Sequence, residues 1–200
     1  MSKKMKIALV LNIVIIVLEI IGTSISYSNN GFSNLFYYTV DSNLLAFCAG
    51  VMFVLTALMK KSSKAVYVMR FIATVNLSLT FTVVMLVLAP MAMPAGNAGK
   101  VIYKGAQLYH HLLCPIISFI SFVFLEEGGK PGKKLKRLAI IPTILYAVIL
   151  IILNAVGAVV GPYPFLMVRN QPIWASILWF ALIVGMGYAF VHLIAKIKRE

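Results

Sequence analysis

Acidic residues are scarce in this sequence: five Asp and Glu stand against 18 Lys and Arg in 200 residues. The few carboxylates are scattered, so their spacing does not indicate the pair of acids that glycoside hydrolysis requires. An H-E-x-x-H motif, a Cys-x-x-Cys pair and a glycine-rich phosphate-binding loop are also missing. These absences leave little room for metal-dependent or nucleotide-dependent chemistry.

Cysteine is equally rare, with Cys48 and Cys114 both inside apolar segments, so the sequence does not indicate a secreted disulfide framework. Two histidines, His110 and His111, are adjacent. Neighbouring side chains on a helix point about 100° apart and make a poor pair of metal ligands. We therefore expect neither a metal ion nor another cofactor.

Long hydrophobic runs are what the sequence has in abundance. Hydrophobic residues make up 62% of the chain, and its mean hydropathy is +0.97. A run of about 20 apolar residues spans a hydrocarbon core of about 30 Å. The sequence predicts an all-α fold, a polytopic membrane bundle of six transmembrane helices that forms one domain over residues 1–200. The predicted spans are Lys6–Tyr27, Phe36–Met59, Val66–Ala89, Gly105–Leu125, Leu138–Val160 and Trp174–Ala195.

The basic residues alternate between the two ends of the predicted spans. Only Lys100, Lys104 and Arg169 lie on one side, and the other 15 lie on the opposite side. This is the positive-inside pattern, which predicts an integral membrane protein with both termini cytoplasmic. A nucleic-acid-binding surface would not skip every second connection, so no nucleic-acid partner is expected. The 15 residues are Lys3, Lys4, Lys6, Lys60, Lys61, Lys64, Arg70, Lys130, Lys133, Lys134, Lys136, Arg137, Lys196, Lys198 and Arg199.

Polar residues cluster near the start of the second span, where Thr39, Asp41, Ser42 and Asn43 fall within five positions. An unpaired polar group in hydrocarbon costs several kcal/mol, so such a cluster is expected to pair, bind or react. Thr39, Ser42 and Asn43 follow helical spacing and share one face. Asp41 is rotated about 200° from Thr39 and lies on another face.

Other helices add polar residues at a similar depth. At a rise of 1.5 Å per residue, these groups lie about 5–12 Å below the outer ends of their helices. The cytoplasmic half is predicted to be poorer in polar groups, which argues against a continuous transport path. The residues of the outer layer are Glu19, Thr39, Asn43, His110, His111 and Asn154.

The fourth span holds the candidate base. Pro115 has no N–H and leaves the carbonyl of His111 without its helical donor, which favours a polar cavity wall at that residue. His111 also shares a polar stripe with Cys114, whereas His110 lies about 100° away. The chemistry that remains is a hydroxyl or thiol nucleophile with a histidine base. The candidate nucleophiles are therefore the Thr39 hydroxyl and the Cys114 thiol, and His110 is the alternative base to His111.

Three short motifs carry a family resemblance over nearly the whole chain. The sequence resembles the six-helix bacterial membrane proteins related to the androgen-induced and androgen-dependent intramembrane threonine hydrolases of animals. Those animal enzymes cleave fatty acid esters of hydroxy fatty acids with a Thr and a His. The matching motifs are Tyr38-Thr39-Val40-Asp41-Ser42-Asn43, His111-Leu112-Leu113-Cys114-Pro115 and Tyr163-Pro164-Phe165-Leu166.

The resemblance implies an intramembrane lipid-ester hydrolase in a bacterial plasma membrane, with Thr39 as nucleophile and His111 as base. Two spacings depart from the animal pattern. There the Asp follows the Thr by three positions, whereas Asp41 follows by two. The animal histidine lies five residues before the proline, a spacing that selects His110.

The implied substrate is a membrane lipid or another long-chain acyl ester, bound from the bilayer. Candidate contacts to the substrate or the oxyanion are Asn43, Asn154, Asp41, Ser42 and Tyr163, the last in a proline-stiffened loop suited to roof a cavity. Two other functions stay open on the sequence. A small transporter, or a lipid-binding membrane protein, would use the same polar layer as a binding site.

Overall fold

The computed structural model describes residues 1–198, which contain helices and no strand. Arg199, one of the 15 basic residues of the predicted cytoplasmic side, lies outside the described residues. Six helices are long and apolar enough to cross a membrane, so the prediction of six spans is confirmed. They are α1 (Lys3–Asn30), α2 (Tyr38–Leu58), α3 (Lys64–Ala92), α4 (Leu108–Leu125), α5 (Lys133–Ala155) and α6 (Ile173–Ile197).

Capping residues explain several of the helix ends. The Ser2 side chain accepts a hydrogen bond from the Met5 N–H at the start of α1, and Ser63 does the same at the start of α3. The predicted end of the fifth span at Val160 is wrong. The helix α5 stops at Ala155, because Gly157 adopts a φ of +80°, a left-handed conformation that ends a helix.

Prolines interrupt the regular geometry of α3 and α4. A π-helical turn over Val84–Leu88 precedes Pro90, and another over Leu108–Leu113 precedes Pro115. Proline cannot donate a backbone hydrogen bond, and the wider turn gives the preceding carbonyls other partners. In α4 the N–H of Cys114 bonds the carbonyl of Tyr109, five residues earlier. The sequence-based expectation of an irregularity at His111 therefore corresponds to a π-helical turn.

The central helix of the bundle is α3, which packs against α2, α4 and α6. Of its most apolar 18-residue stretch 67% is buried within the protein, against 17% for α6. Aromatic and branched side chains fill the contact between α3, α4 and α6, as lipid-excluded packing requires. They include Phe71, Val75, Phe122, Val191 and Ile194.

Ser2 and Lys198, near the two ends of the described residues, lie at the same end of the bundle as the connection between α4 and α5. The Ser2 hydroxyl donates to Glu127 Oε1 over 3.0 Å, and Lys198 Nζ donates to the Glu126 carbonyl over 2.8 Å. The start of α2 and the connection between α3 and α4 therefore lie at the opposite end. This arrangement requires an even number of spans.

The end of the bundle that holds the termini contains a buried ion pair. Arg70 is fully buried, and its Nη2 and Nε lie 2.7 and 3.0 Å from Glu126 Oε1. Ser121 and Asn12 donate to the same oxygen over 2.8 and 3.2 Å. The expectation that this half is poor in polar groups is therefore wrong, and Arg70 is no solvated flanking charge.

Candidate functional site

Thr39 is the second residue of α2 and is 7% exposed. Tyr37, the residue before α2, has an extended backbone, so the chain enters α2 directly from the 3-10 turn Gly31–Phe36. The start of a helix carries a partial positive charge, which stabilises an anion formed there. Thr39 is thus a hydroxyl at the electropositive end of a 21-residue helix.

A histidine of α4 contacts this hydroxyl. Thr39 Oγ lies 3.3 Å from His111 Nε2, and His111 Nδ1 lies 2.6 Å from the carbonyl oxygen of Val101. Val101 belongs to the short connecting helix Ala98–Tyr103, whose last carbonyls have no partner within the helix. The imidazole is therefore held between the hydroxyl and a backbone acceptor.

The loop between α5 and α6 supplies a second hydroxyl. The oxygen of Tyr163 lies 3.2 Å from both Thr39 Oγ and the Thr39 backbone nitrogen. Its ring stacks on Phe165 and meets Tyr37 edge to face. Burial raises the pKa of Tyr163 to about 12, so its hydroxyl keeps its proton at neutral pH.

When His111 is neutral, these contacts fix the direction of each hydrogen bond that links Val101, His111, Thr39 and Tyr163. A carbonyl oxygen only accepts, so Nδ1 carries the proton and Nε2 presents its lone pair to Thr39 Oγ. The Thr39 N–H donates to Tyr163, whose own O–H then donates to Thr39 Oγ. The Thr39 proton therefore points at His111, which is the arrangement of a hydroxyl and its base.

The pair opens into a cavity of about 480 Å³ at the end of the bundle opposite the termini. Its wall combines polar side chains with Pro162 and Pro164 of the loop, and Lys100 contributes a cationic group. The cavity is large enough for several water molecules, and it has polar partners for them. Its polar lining comprises Ser26, Asn34, Tyr37, Thr39, Gln107, His110 and Tyr163, together with Lys100 and His111.

His110 lines the same cavity but has a different partner. Its Nε2 lies 3.5 Å from Glu19 Oε2, and both side chains are almost fully buried. Gly22 makes room for the ring, because a Cβ at this position would lie 2.7 Å from His110 Nε2. In the structure His111 therefore contacts Thr39, and His110 contacts Glu19 of α1.

The polar neighbours of Thr39 in α2 hold the backbone. Asn43 Nδ2 donates to the carbonyls of Thr39 and His110 over 2.7 and 3.2 Å, so it fastens α2 to α4. The Ser42 hydroxyl donates to the Thr39 carbonyl and contacts Thr80. Neither side chain is among the residues that line the cavity beside Thr39, and their role as contacts to an oxyanion stays a prediction.

Three other predicted site residues lie outside the cavity. Asp41 lines a separate pocket with Tyr146. Asn154 donates to the Val159 carbonyl and accepts from the Arg169 N–H, so it closes the turn after α5. Cys114 is fully buried beside Glu19. Depth along a helix had grouped Asn154 with Thr39, but depth does not determine which way a helix faces. Asp41 was predicted on a different face of its helix from Thr39, and the structure places it in a different pocket.

Sequence reasoning missed two contacts of the site. The Val101 carbonyl is a backbone group, and no residue type signals it. The pairing of Glu19 with His110 had a weak signal, since both were predicted at similar depth on different helices. Within residues 1–198, no group of three or more His, Cys, Asp and Glu side chains is placed to hold a metal ion.

Comparison with known proteins does not assign this protein to a family. No protein-family model matches the chain, and no curated protein and no solved structure is similar to it at a significant level.

Proposed function

We propose that this protein is an intramembrane hydrolase of long-chain acyl esters, with Thr39 as nucleophile and His111 as base. The observation that carries the proposal is the 3.3 Å contact between Thr39 Oγ and His111 Nε2, with Nδ1 bonded to the Val101 carbonyl. A nucleophile, its base and a group that orients the base are the three parts of an acyl-transfer centre.

In the proposed reaction His111 Nε2 takes the Thr39 proton while Oγ bonds to the ester carbonyl carbon. The tetrahedral intermediate collapses, the carbon–oxygen bond to the alcohol breaks, and His111 returns the proton to the departing alcohol. Water then gives a proton to His111 and attacks the acyl-threonine. Collapse of this second intermediate breaks the bond between the acyl carbon and Thr39 Oγ, and His111 returns its proton to Oγ as the fatty acid leaves.

Two features favour the charged intermediates. The first turn of α2 places Thr39 at the positive end of the helix dipole, where an oxyanion is stabilised. The Tyr163 hydroxyl lies 3.2 Å from Thr39 Oγ, so it is the side-chain donor that we assign to the oxyanion. These groups replace Asn43 and Asn154 in the predicted oxyanion role.

The setting supports a lipid substrate. The site lies among helices long enough to span a bilayer, near one end of the bundle, where acyl esters and water meet. The resemblance of the three motifs to the intramembrane threonine hydrolases points in the same direction. Fatty acid esters of hydroxy fatty acids and similar esters are therefore the proposed substrates.

A purified sample in lipid nanodiscs tests the proposal. The wild type is expected to hydrolyse a long-chain p-nitrophenyl ester and to react with an alkyl fluorophosphonate. Thr39→Ala and His111→Ala each remove most of the activity, and the double variant is no worse than either, since the pair acts as a unit. The matched control is Thr56→Ala on the same helix, whose hydroxyl bonds only carbonyls of α2.

The alternatives give different results. If Cys114→Ala abolishes labelling and Thr39→Ala does not, the nucleophile is the thiol. If His110→Gln abolishes hydrolysis while His111→Ala keeps it, His110 is the base. A wild type that neither hydrolyses esters nor labels excludes the hydrolase.

The proposed orientation places both termini in the cytoplasm of a bacterial cell, with Lys100 on the outer side of the plasma membrane. The split of basic residues supports it. In a Cys48→Ala/Cys114→Ala background, we expect a membrane-impermeant thiol reagent added to whole cells to label Lys100→Cys. Lys133→Cys is expected to react only after lysis. Labelling of both from outside rules out this topology.

A transporter is the second candidate, favoured by buried ionisable groups at two levels of the bundle: Glu19 with His110, and Arg70 with Glu126. Such groups in membrane helices often bind protons or ions. Proton-coupled solute flux into proteoliposomes that persists in Thr39→Ala and disappears in Glu19→Gln would favour transport. The hydrolase predicts hydrolysis that depends on Thr39 and is not accompanied by such flux.

A further inference from the structure

A second cavity, narrow and mostly apolar, begins at the other side of Thr39. It has a volume of about 50 Å³ and reaches between α3, α5 and α6. Three residues line both cavities: Thr39, Leu88 and Tyr163. The candidate nucleophile and its hydrogen-bonding tyrosine therefore stand at the junction of a wide polar cavity and a narrow apolar one.

The walls of the narrow cavity are suited to hydrocarbon. Leu79 and Val83 of α3 face Ala147 and Ile151 of α5, and Ile183 closes the side formed by α6. A narrow space with such walls admits the first methylenes of an acyl chain, since each buried methylene gains transfer free energy. A ring or a charged headgroup would have to displace packed side chains.

His111 distinguishes the two sides of the site. It lines the polar cavity and is not among the residues around the narrow one. The same imidazole must protonate the departing alcohol and then activate water, so both have to approach from the polar side. The acyl group is the part that stays on Thr39 while alcohol and water exchange.

We propose that the narrow cavity is the acyl-chain site: the chain extends from Thr39 between α3, α5 and α6, and the alcohol half occupies the polar cavity. This inference rests on the proposed hydrolase and adds the orientation of its substrate. It assigns unbranched acyl chains to the narrow side. Bulky or polar alcohols are accepted on the wide side.

Chain-length profiles test this orientation. With p-nitrophenyl acetate, butanoate, hexanoate and dodecanoate, kcat/KM of the wild type is expected to rise by about fourfold per added methylene over the first methylenes and to level off once the cavity is filled. Ala147→Phe fills the cavity and removes this rise, so the loss is larger for butanoate and hexanoate than for acetate. The matched control is Val148→Phe on the same helix, which is 40% exposed and leaves the profile unchanged.

The orientation of the substrate is tested by comparing esters with a long acyl chain to an ester with a long alcohol. Dodecanoate esters of bulky alcohols are expected to react, whereas dodecyl benzoate, with an aromatic acyl group and a long alcohol, is poor. If Ala147→Phe does not fold, Ile183→Phe takes its place, because it is expected to have the same effect. The acyl-chain site is overturned if the cavity-filling variant loses kcat/KM equally at every chain length or at none, or if the wild type prefers dodecyl benzoate. The proposed hydrolysis would still stand after any of these results. A wild type inert to all esters and to alkyl fluorophosphonates overturns both proposals.

Discussion

Nδ1 of His111 lies 2.6 Å from the carbonyl oxygen of Val101. In many hydrolases a carboxylate takes this position and fixes the tautomer of the base. Here a backbone carbonyl at the end of a short helix serves the same purpose without placing a charge inside the bundle. The sequence has only five acidic residues, and the site uses none of them to orient His111. The tautomer therefore depends on where the helix Ala98–Tyr103 sits.

Removing the Tyr163 hydroxyl tests its proposed role as a donor. Tyr163→Phe is expected to lower kcat/KM by about 10²-fold, the effect of losing one oxyanion donor. Because burial raises the pKa of Tyr163 to about 12, its ionisation should not reduce activity between about pH 6 and about pH 10. Ester hydrolysis across this pH range measures both effects. Tyr103→Phe, at a residue 60% exposed, serves as the control. Unchanged kcat/KM in Tyr163→Phe would contradict the role.

Gly22 sets the position of the histidine turn. In Gly22→Ala the new methyl would lie 2.7 Å from His110 Nε2 and 3.0 Å from Tyr109 Cβ, so the π-helical turn must shift. We expect a fall in hydrolysis of at least about tenfold, since small displacements of catalytic groups are costly. The control is Gly185→Ala, where nothing lies within 4 Å of the added Cβ. It should keep activity and gain about 0.5–1 kcal/mol of stability. Equal activities of the two variants would show that Gly22 does not position the turn.

Sequence alone predicted those parts of the molecule that depend on local composition. Runs of apolar residues define the six spans, and the predicted starts at Lys6 and Val66 lie within a few residues of the helix starts that Ser2 and Ser63 cap in the structure. The cluster around Thr39 was visible because four polar residues in five positions are rare within a span. Pro115 marked the irregular turn, since its missing donor acts on the carbonyl of His111.

The remaining features depend on how helices face one another. Asn154 and Thr39 were predicted at similar depth, yet the Asn154 side chain bonds the Val159 carbonyl in the turn after α5 and does not reach Thr39. Arg70 was counted with the basic residues that flank the predicted spans. Its partner Glu126 lies 56 positions away, and no periodicity in the sequence joins the two. Contacts of this kind require the tertiary arrangement of α1, α3 and α4.

Breaking the buried ion pair should be costly. Arg70→Met leaves the Glu126 carboxylate without its cation, although Ser121 and Asn12 still donate to it. We expect a loss of about 3–5 kcal/mol, because an uncompensated buried charge remains. The double variant Arg70→Met/Glu126→Gln should recover part of this loss, whereas exposed Lys61→Met should change little. Unfolding in detergent micelles measures the difference, and a double variant less stable than Arg70→Met would contradict the expectation.

Lys198 makes stability depend on pH at the same end of the bundle. Its Nζ donates to the carbonyls of Phe122 and Glu126 and lies 4.3 Å from the centre of the Phe122 ring. Burial lowers the pKa of Lys198 from 10.5 to about 8, and Arg70 adds to this effect while Glu126 opposes it. The cost of burying the cation is present in full below about pH 8. Between about pH 8 and about pH 10.5 the unfolded chain binds more protons, so this residue makes stability rise with pH.

The melting temperature of the wild type relative to Lys198→Met is therefore expected to increase from about pH 7.5 to about pH 9.5. Lys196→Met, at an exposed position two residues earlier on α6, should follow the wild type at each pH. Taking the difference between variants removes the titration of all other groups that they share. Parallel curves for wild type and Lys198→Met would mean that Lys198 keeps an ordinary pKa, and that its ammonium group is hydrated in the folded protein.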